Sequence, residues 1–65
     1  MMIHNLPEYA DAYEYILYRN LGDEGCWFYG AYPTIGKMCV AASELNDMGD
    51  STLAWCYSSD AISAD

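Results

Sequence analysis

YEYILYRN (residues 13–20), LGDEG (21–25) and CWFYGAY (26–32) are the stretch on which the fold turns. The first and third segments are rich in aromatic and branched side chains, which favour a pleated strand. Between them, Gly22 and Gly25 can supply positive φ angles. Two such runs joined by a short glycine-containing loop predict an antiparallel hairpin. Gly30, inside the second run, predicts a bulge or a close backbone approach.

Beyond the hairpin, Pro33 and Thr34 end the strand and open a helix, with Thr34 as its N-cap. Ile35, Met38, Cys39, Ala42, Leu45 and Met48 recur at the spacing of one helical face, and Gly49 suits the left-handed residue that closes a helix. Residues 52–57, TLAWCY, read as a third strand, and the tail from Ser58 is expected to fray. The order strand, strand, helix, strand predicts an α+β fold: an antiparallel three-stranded sheet with one helix packed on one face. Alternation sets Trp27, Tyr29 and Ala31 against Cys26, Phe28 and Tyr32, and Leu53, Trp55 and Tyr57 against Thr52, Ala54 and Cys56. One helix covers one face. The other is then expected to show aromatic side chains to solvent, as an interaction surface or homodimer contact.

The N-terminal third admits a second reading. Asn5-Leu6-Pro7-Glu8 matches a capping box, after which Tyr9, Ala12, Tyr13, Ile16 and Leu17 would line a helix running to Asn20. The tyrosines and Ile16 favour the strand, preceded by a short N-terminal helical turn at residues 7–12.

Ten carboxylates against two basic side chains give this 65-residue chain a net charge of −8. Self-repulsion on that scale opposes compaction. Seven tyrosines and two tryptophans offset it, because each buried ring removes on the order of 150–250 Å² from water. One domain, residues 1–65, is all this length holds. Phosphate binding needs clustered Lys and Arg, and only Arg19 and Lys37 are present, so direct nucleic-acid binding is not expected. Anionic membranes repel the chain, no apolar run approaches the roughly 20 residues of a span, and the N-terminus lacks a signal-peptide pattern. A cytoplasmic location is expected. Cys26, Cys39 and Cys56 are odd in number and widely spaced, which fits reduced thiols; the strand reading allows Cys26 and Cys56 to face each other across a sheet, but a cytosolic disulfide is rare.

The acidic residues fall in clusters: Glu8, Asp11 and Glu14; Asp23 and Glu24 at the hairpin tip; Glu44, Asp47 and Asp50 where the helix ends; then Asp60 and Asp65. They read either as a solubilising surface or as a patch matching a basic groove on a partner. Trp27 and Tyr29 are candidate anchors, since such rings are enriched in binding hot spots. His4 and the three cysteines lack the close pairing of zinc ligands, so no metal and no cofactor are expected. No nucleophile has a histidine at hand, no glycine-rich phosphate loop occurs, and so small a domain has little room for a cleft of about 300 Å³. These features argue against an enzyme.

In size, net acidity, α/β order and lack of catalytic or targeting motifs, the chain resembles the small acidic anti-defence proteins of phages and mobile elements, such as anti-CRISPR proteins and DNA-mimic inhibitors. The resemblance is one of type and carries no residue roles. It implies an inhibitor that occupies a basic, nucleic-acid-binding surface of a bacterial nuclease or CRISPR-type effector. The other expectation is a small interaction module or homodimeric subunit.

Overall fold

The hairpin is the centre of the fold. In the computed structural model, which describes residues 2–62, strand β2 (Tyr15–Asn20) pairs antiparallel with β3 (Cys26–Tyr32) across a 3₁₀ turn at Gly22–Glu24. The strand prevails at residues 15–20 because Ile16 and Leu17 are both buried, at 0% and 1% exposure, in different core clusters. Neighbouring residues reach opposite sides of the backbone in a strand and not in a helix.

Among the described residues four strands are present rather than three, in the order β1-β3-β2-β4, and the sheet is mixed. Strand β4 (Leu53–Tyr57) lies antiparallel to β2, as expected. The addition is β1 (Ile3–His4), which runs parallel to β3 at Cys26 and Trp27. Two residues are too few for an alternating pattern to register. His4 is therefore seated in a strand, its ring 4.7 Å from that of Trp27, and is not part of a loose terminus.

The short N-terminal turn exists as a 3₁₀ helix at Glu8–Ala12, but the capping box does not form. Pro7 occupies the cap position without a side-chain hydrogen bond, and Asn5 instead takes φ 63° to turn the chain. Nor is the tail frayed at Ser58. Helix α2 (Ser58–Ile62) follows β4 directly, anchored by Ala61 at 2% exposure and by the Ser58 N–H donating to the Glu14 carbonyl at 2.9 Å.

These two short helices change the expected layering. Ile3, Ala10, Ile16, Tyr18, Cys56 and Ala61 form a closed core on one face of the sheet, beneath the Glu8–Ala12 turn and α2. Helix α1 (Ile35–Asp47) covers the middle of the other face, packing Met38 and Leu45 on Leu17. The exposed rings of the sheet, Trp27, Tyr29, Trp55 and Tyr57, lie on the α1 side, and the opposite face is covered by elements that carry the exposed Tyr9 and Tyr13.

Within α1 the buried line is Met38, Ala41, Ala42 and Leu45. Ile35, Cys39 and Met48 are exposed, Met48 at 79%, so the expected stripe was too wide. Both ends form as the sequence requires. Thr34 Oγ1 accepts from the Lys37 N–H at 3.3 Å. At the other end, Gly49 (φ 89°) donates to the Asn46 carbonyl and Asp50 donates to that of Leu45, a Schellman closure.

Gly30 lies at a bulge, the first of its two expected alternatives. Leu17 pairs with Gly30 while Tyr18 pairs with Phe28, leaving Tyr29 as the extra residue of a bulge. Past the bulge the faces exchange. Ala31 joins Phe28 in the closed core and Tyr32 joins the α1 side, the reverse of strict alternation. A Cβ at Gly30 would stand 2.6 Å from the Tyr32 hydroxyl oxygen, so the ring lies over the glycine.

Candidate partner-binding surface

Asp50 is the acidic residue most engaged in the fold. The Schellman closure delivers it beside β2, where its carboxylate accepts from the Thr52 N–H (2.9 Å) and hydroxyl (2.7 Å) and pairs with Arg19 Nη2 at 2.9 Å. The Thr52 hydrogen bonds, with the Arg19 charge adding to them, hold this carboxyl below its ordinary range against the opposing push of burial. The Arg19 guanidinium also lies 5.6 Å from the centroid of the Tyr29 ring. Asp50 thus ties the end of α1 to the central strand.

The other acidic positions face solvent. Glu8, Asp11, Glu14, Asp23, Glu24, Glu44, Asp47 and Asp60 are all exposed, and among the described residues Arg19–Asp50 is the ion pair formed. Asp65 lies outside the described residues. The topology gathers the carboxylates into separate regions. β3 leads away from the hairpin turn, α1 returns, and β4 begins opposite Arg19, so Asp23 and Glu24 share one end of the sheet with Asp47. Glu14 precedes β2 at the opposite end, and Glu8 and Asp11 lie on the turn that covers the closed core.

Among the described residues, two of the open surface grooves bear on the site. One, of about 350 Å³, is lined by Met2, Ile3, Leu6, Pro7, Glu8, Asp11 and Ala61. It brings two of the expected partner-binding carboxylates together above an apolar floor. The other, of about 420 Å³, runs between α1 and β4 past Met38, Cys39, Ala42, Leu53 and Trp55. Room for a groove of this size was not expected from the chain length. Among the described residues, no three His, Cys, Asp or Glu side chains converge as metal ligands. All three cysteines are free; Cys26 and Cys56 lie on strands separated by β2, and burial pushes the Cys56 thiol up.

Trp27 and Tyr29, the expected anchors, are partly committed within the chain. Trp27 stacks on His4 and donates its Nε1–H to the Glu24 carbonyl at 2.9 Å, and Tyr29 is the bulge residue beneath Arg19. Both keep exposed ring surface. A second aromatic cluster was not among the expected site residues. Tyr15, Trp55 and Tyr57 have ring centroids 5.4 to 5.8 Å apart, with Trp55 and Tyr57 42% and 46% exposed. Burial, then the Glu14 carboxylate, raises the Tyr15 hydroxyl above its usual range. The signal was present in the alternation Leu53, Trp55, Tyr57; what was missing was the pairing of Tyr15 with Tyr57 across β2 and β4.

No described helix is long and apolar enough to cross a membrane. No protein-family model, curated protein or solved structure matches the chain.

Proposed function

We propose that this chain is a non-enzymatic acidic protein that binds a cationic surface of another macromolecule. The observation that carries the reading is the exposure of every described carboxylate except Asp50, with one internal ion pair to offset them. Charges left unpaired on an ordered scaffold steer encounter with a positive partner and select against negative ones. The groove holding Glu8 and Asp11 suits an arginine or lysine side chain, its stem on Leu6 and Pro7 and its head at the carboxylates. Trp27 supplies ring surface beside Glu24, and Tyr29 does so beside Arg19.

The resemblance in type to acidic anti-defence proteins directs this reading to an inhibitor in the bacterial cytosol. Its target would be the basic, nucleic-acid-binding surface of a nuclease or CRISPR-type effector, with the carboxylates standing where phosphates would lie. Affinity purification from bacterial lysate, followed by mass spectrometry, tests it. Wild-type protein should capture a nucleic-acid-binding protein, and a variant carrying Glu8→Gln, Asp11→Asn, Glu44→Gln and Asp47→Asn should not. Asp50 is left intact because it holds the fold. Equal capture by both forms, or capture of no basic protein by either, contradicts the proposal.

A further inference from the structure

The outer edge of β4 carries an inference that does not depend on the acidic surface. Asn20 donates to the Thr52 carbonyl at 2.8 Å and Ser58 to that of Glu14 at 2.9 Å, in the register that sets Ile16 opposite Cys56. Ladder bonds alternate along an antiparallel strand, so Thr52, Ala54, Cys56 and Ser58 bond to β2. Leu53, Trp55 and Tyr57 therefore point their N–H and C=O groups away from the sheet. Among the described residues no other strand and no loop backbone pairs with them, and only the Tyr57 carbonyl is engaged, by the first turn of α2.

An unpaired edge is a template for another strand unless it is short, bulged, charged or broken by proline. The opposite edge has such protection. β1 is two residues long, and the part of β3 beyond it is bulged at Tyr29 and followed by Pro33. β4 has none: residues 51–59, STLAWCYSS, contain neither a charge nor a proline. Asp50, just before them, is neutralised by Arg19.

Charge selects the occupant. An uncharged edge on a chain of net charge −8 offers a cationic strand no carboxylate to pair with, and an acidic strand gains nothing there. A neutral, apolar strand with half-exposed rings fits, and β4 is itself such a strand.

We infer that two copies of this chain pair β4 to β4, antiparallel, about a two-fold axis at Trp55. Trp55 of each copy then faces Trp55 of the other, and Leu53 faces Tyr57. Each outward N–H of the three residues then finds a carbonyl, that of Tyr57 being shared with the first bond of α2, whereas a shift by one residue sets outward groups against groups already bonded to β2. The exposed Trp55 and Tyr57 rings and the adjoining α1–β4 groove are covered together. Stable complexes bury about 800 Å² per partner, more than one five-residue strand provides, so the dimer is a weak one. The acidic remainder of each copy repels the other, so added salt strengthens it.

The test is amide hydrogen exchange by NMR, with sedimentation equilibrium, on wild-type protein from micromolar to millimolar concentration in high sodium chloride. Mass should rise toward twice the monomer. Exchange at Leu53, Trp55 and Tyr57 should slow by at least about tenfold, while Ala54 and Cys56 are protected throughout. A monomer at millimolar concentration, or a dimer with unchanged exchange at these three amides, overturns the inference. The register has its own check. Trp55→Glu and Trp55→Lys should each be monomeric, and an equimolar mixture should form a heterodimer. Persistence of either homodimer rejects the axis at Trp55; should either variant fail to fold by circular dichroism, the wild-type exchange pattern decides.

Discussion

The two faces of the sheet are built from different material. The closed face buries Ile3, Ala10, Ile16, Tyr18, Cys56 and Ala61 under two short helices, and no buried side chain in the described protein is charged. The other face carries a longer helix yet leaves Trp27, Tyr29, Trp55 and Tyr57 between about a third and a half exposed. Two short helices seal one side, and rings that a single helix does not cover remain on the other. In so small a domain, where only about 60% of the unfolded surface is removed from water, stability and recognition are divided between the faces.

The largest effect should come from the closed face. Ile16→Ala leaves a cavity at a fully buried site and should cost about 2–5 kcal/mol, a large part of the roughly 5–15 kcal/mol total of a typical domain. Trp55→Ala, although it removes more atoms, should cost about 1 kcal/mol, the scale of its ring–ring contacts. Urea denaturation of both variants compares them, and equal losses would erase the distinction between the faces.

Next in size is the bulge, which decides what each face receives from the end of β3. Gly30→Ala should destabilise by about 1–3 kcal/mol, because the Tyr32 ring must leave its place. In a Tyr32→Ala background the same change should cost much less, a non-additivity that a double-mutant cycle in urea would read directly.

The smallest effect is electrostatic and depends on pH. The Asp50 carboxyl is held below its ordinary range in the folded protein. The stability it contributes is therefore complete above the ordinary carboxylate range and is lost as pH falls through the lowered folded value. Thermal melts of wild type and Asp50→Asn should differ near neutrality and converge in acid. A difference that persists at low pH would assign Asp50 a role other than charge.

Much of the fold was legible because it rested on local chemistry. The glycine loop between two aromatic runs, Thr34 before a helix and Gly49 after it each act within a few residues, and each forms as read. What escaped depended on partners distant in sequence. β1 is ordered by β3, more than twenty residues away, and α2 by Ala61 packing into a core that includes Ala10. The faces of Ala31 and Tyr32 could not be assigned without knowing where in the strand the bulge falls, since one extra residue inverts every position after it.

The candidate site was legible to a different degree. Exposure of the carboxylates follows from the cost of burying unpaired charge, so most were found where expected. Asp50 was grouped with the surface acids because its partners, Arg19 and Thr52, are recognisable only once β2 and β4 are paired. Glu8 and Asp11 share a groove with Ala61, a contact that no spacing rule connects.

The central claim is that the exposed negative charge serves another macromolecule and not solubility alone. Its most direct test is the affinity of the captured partner measured against sodium chloride concentration, for wild type and for the variant neutralised at Glu8, Asp11, Glu44 and Asp47. Wild-type binding should weaken steeply as salt rises, and the variant should bind more weakly with a shallower dependence. Affinity that is flat in salt, or the same for both proteins, would contradict the account.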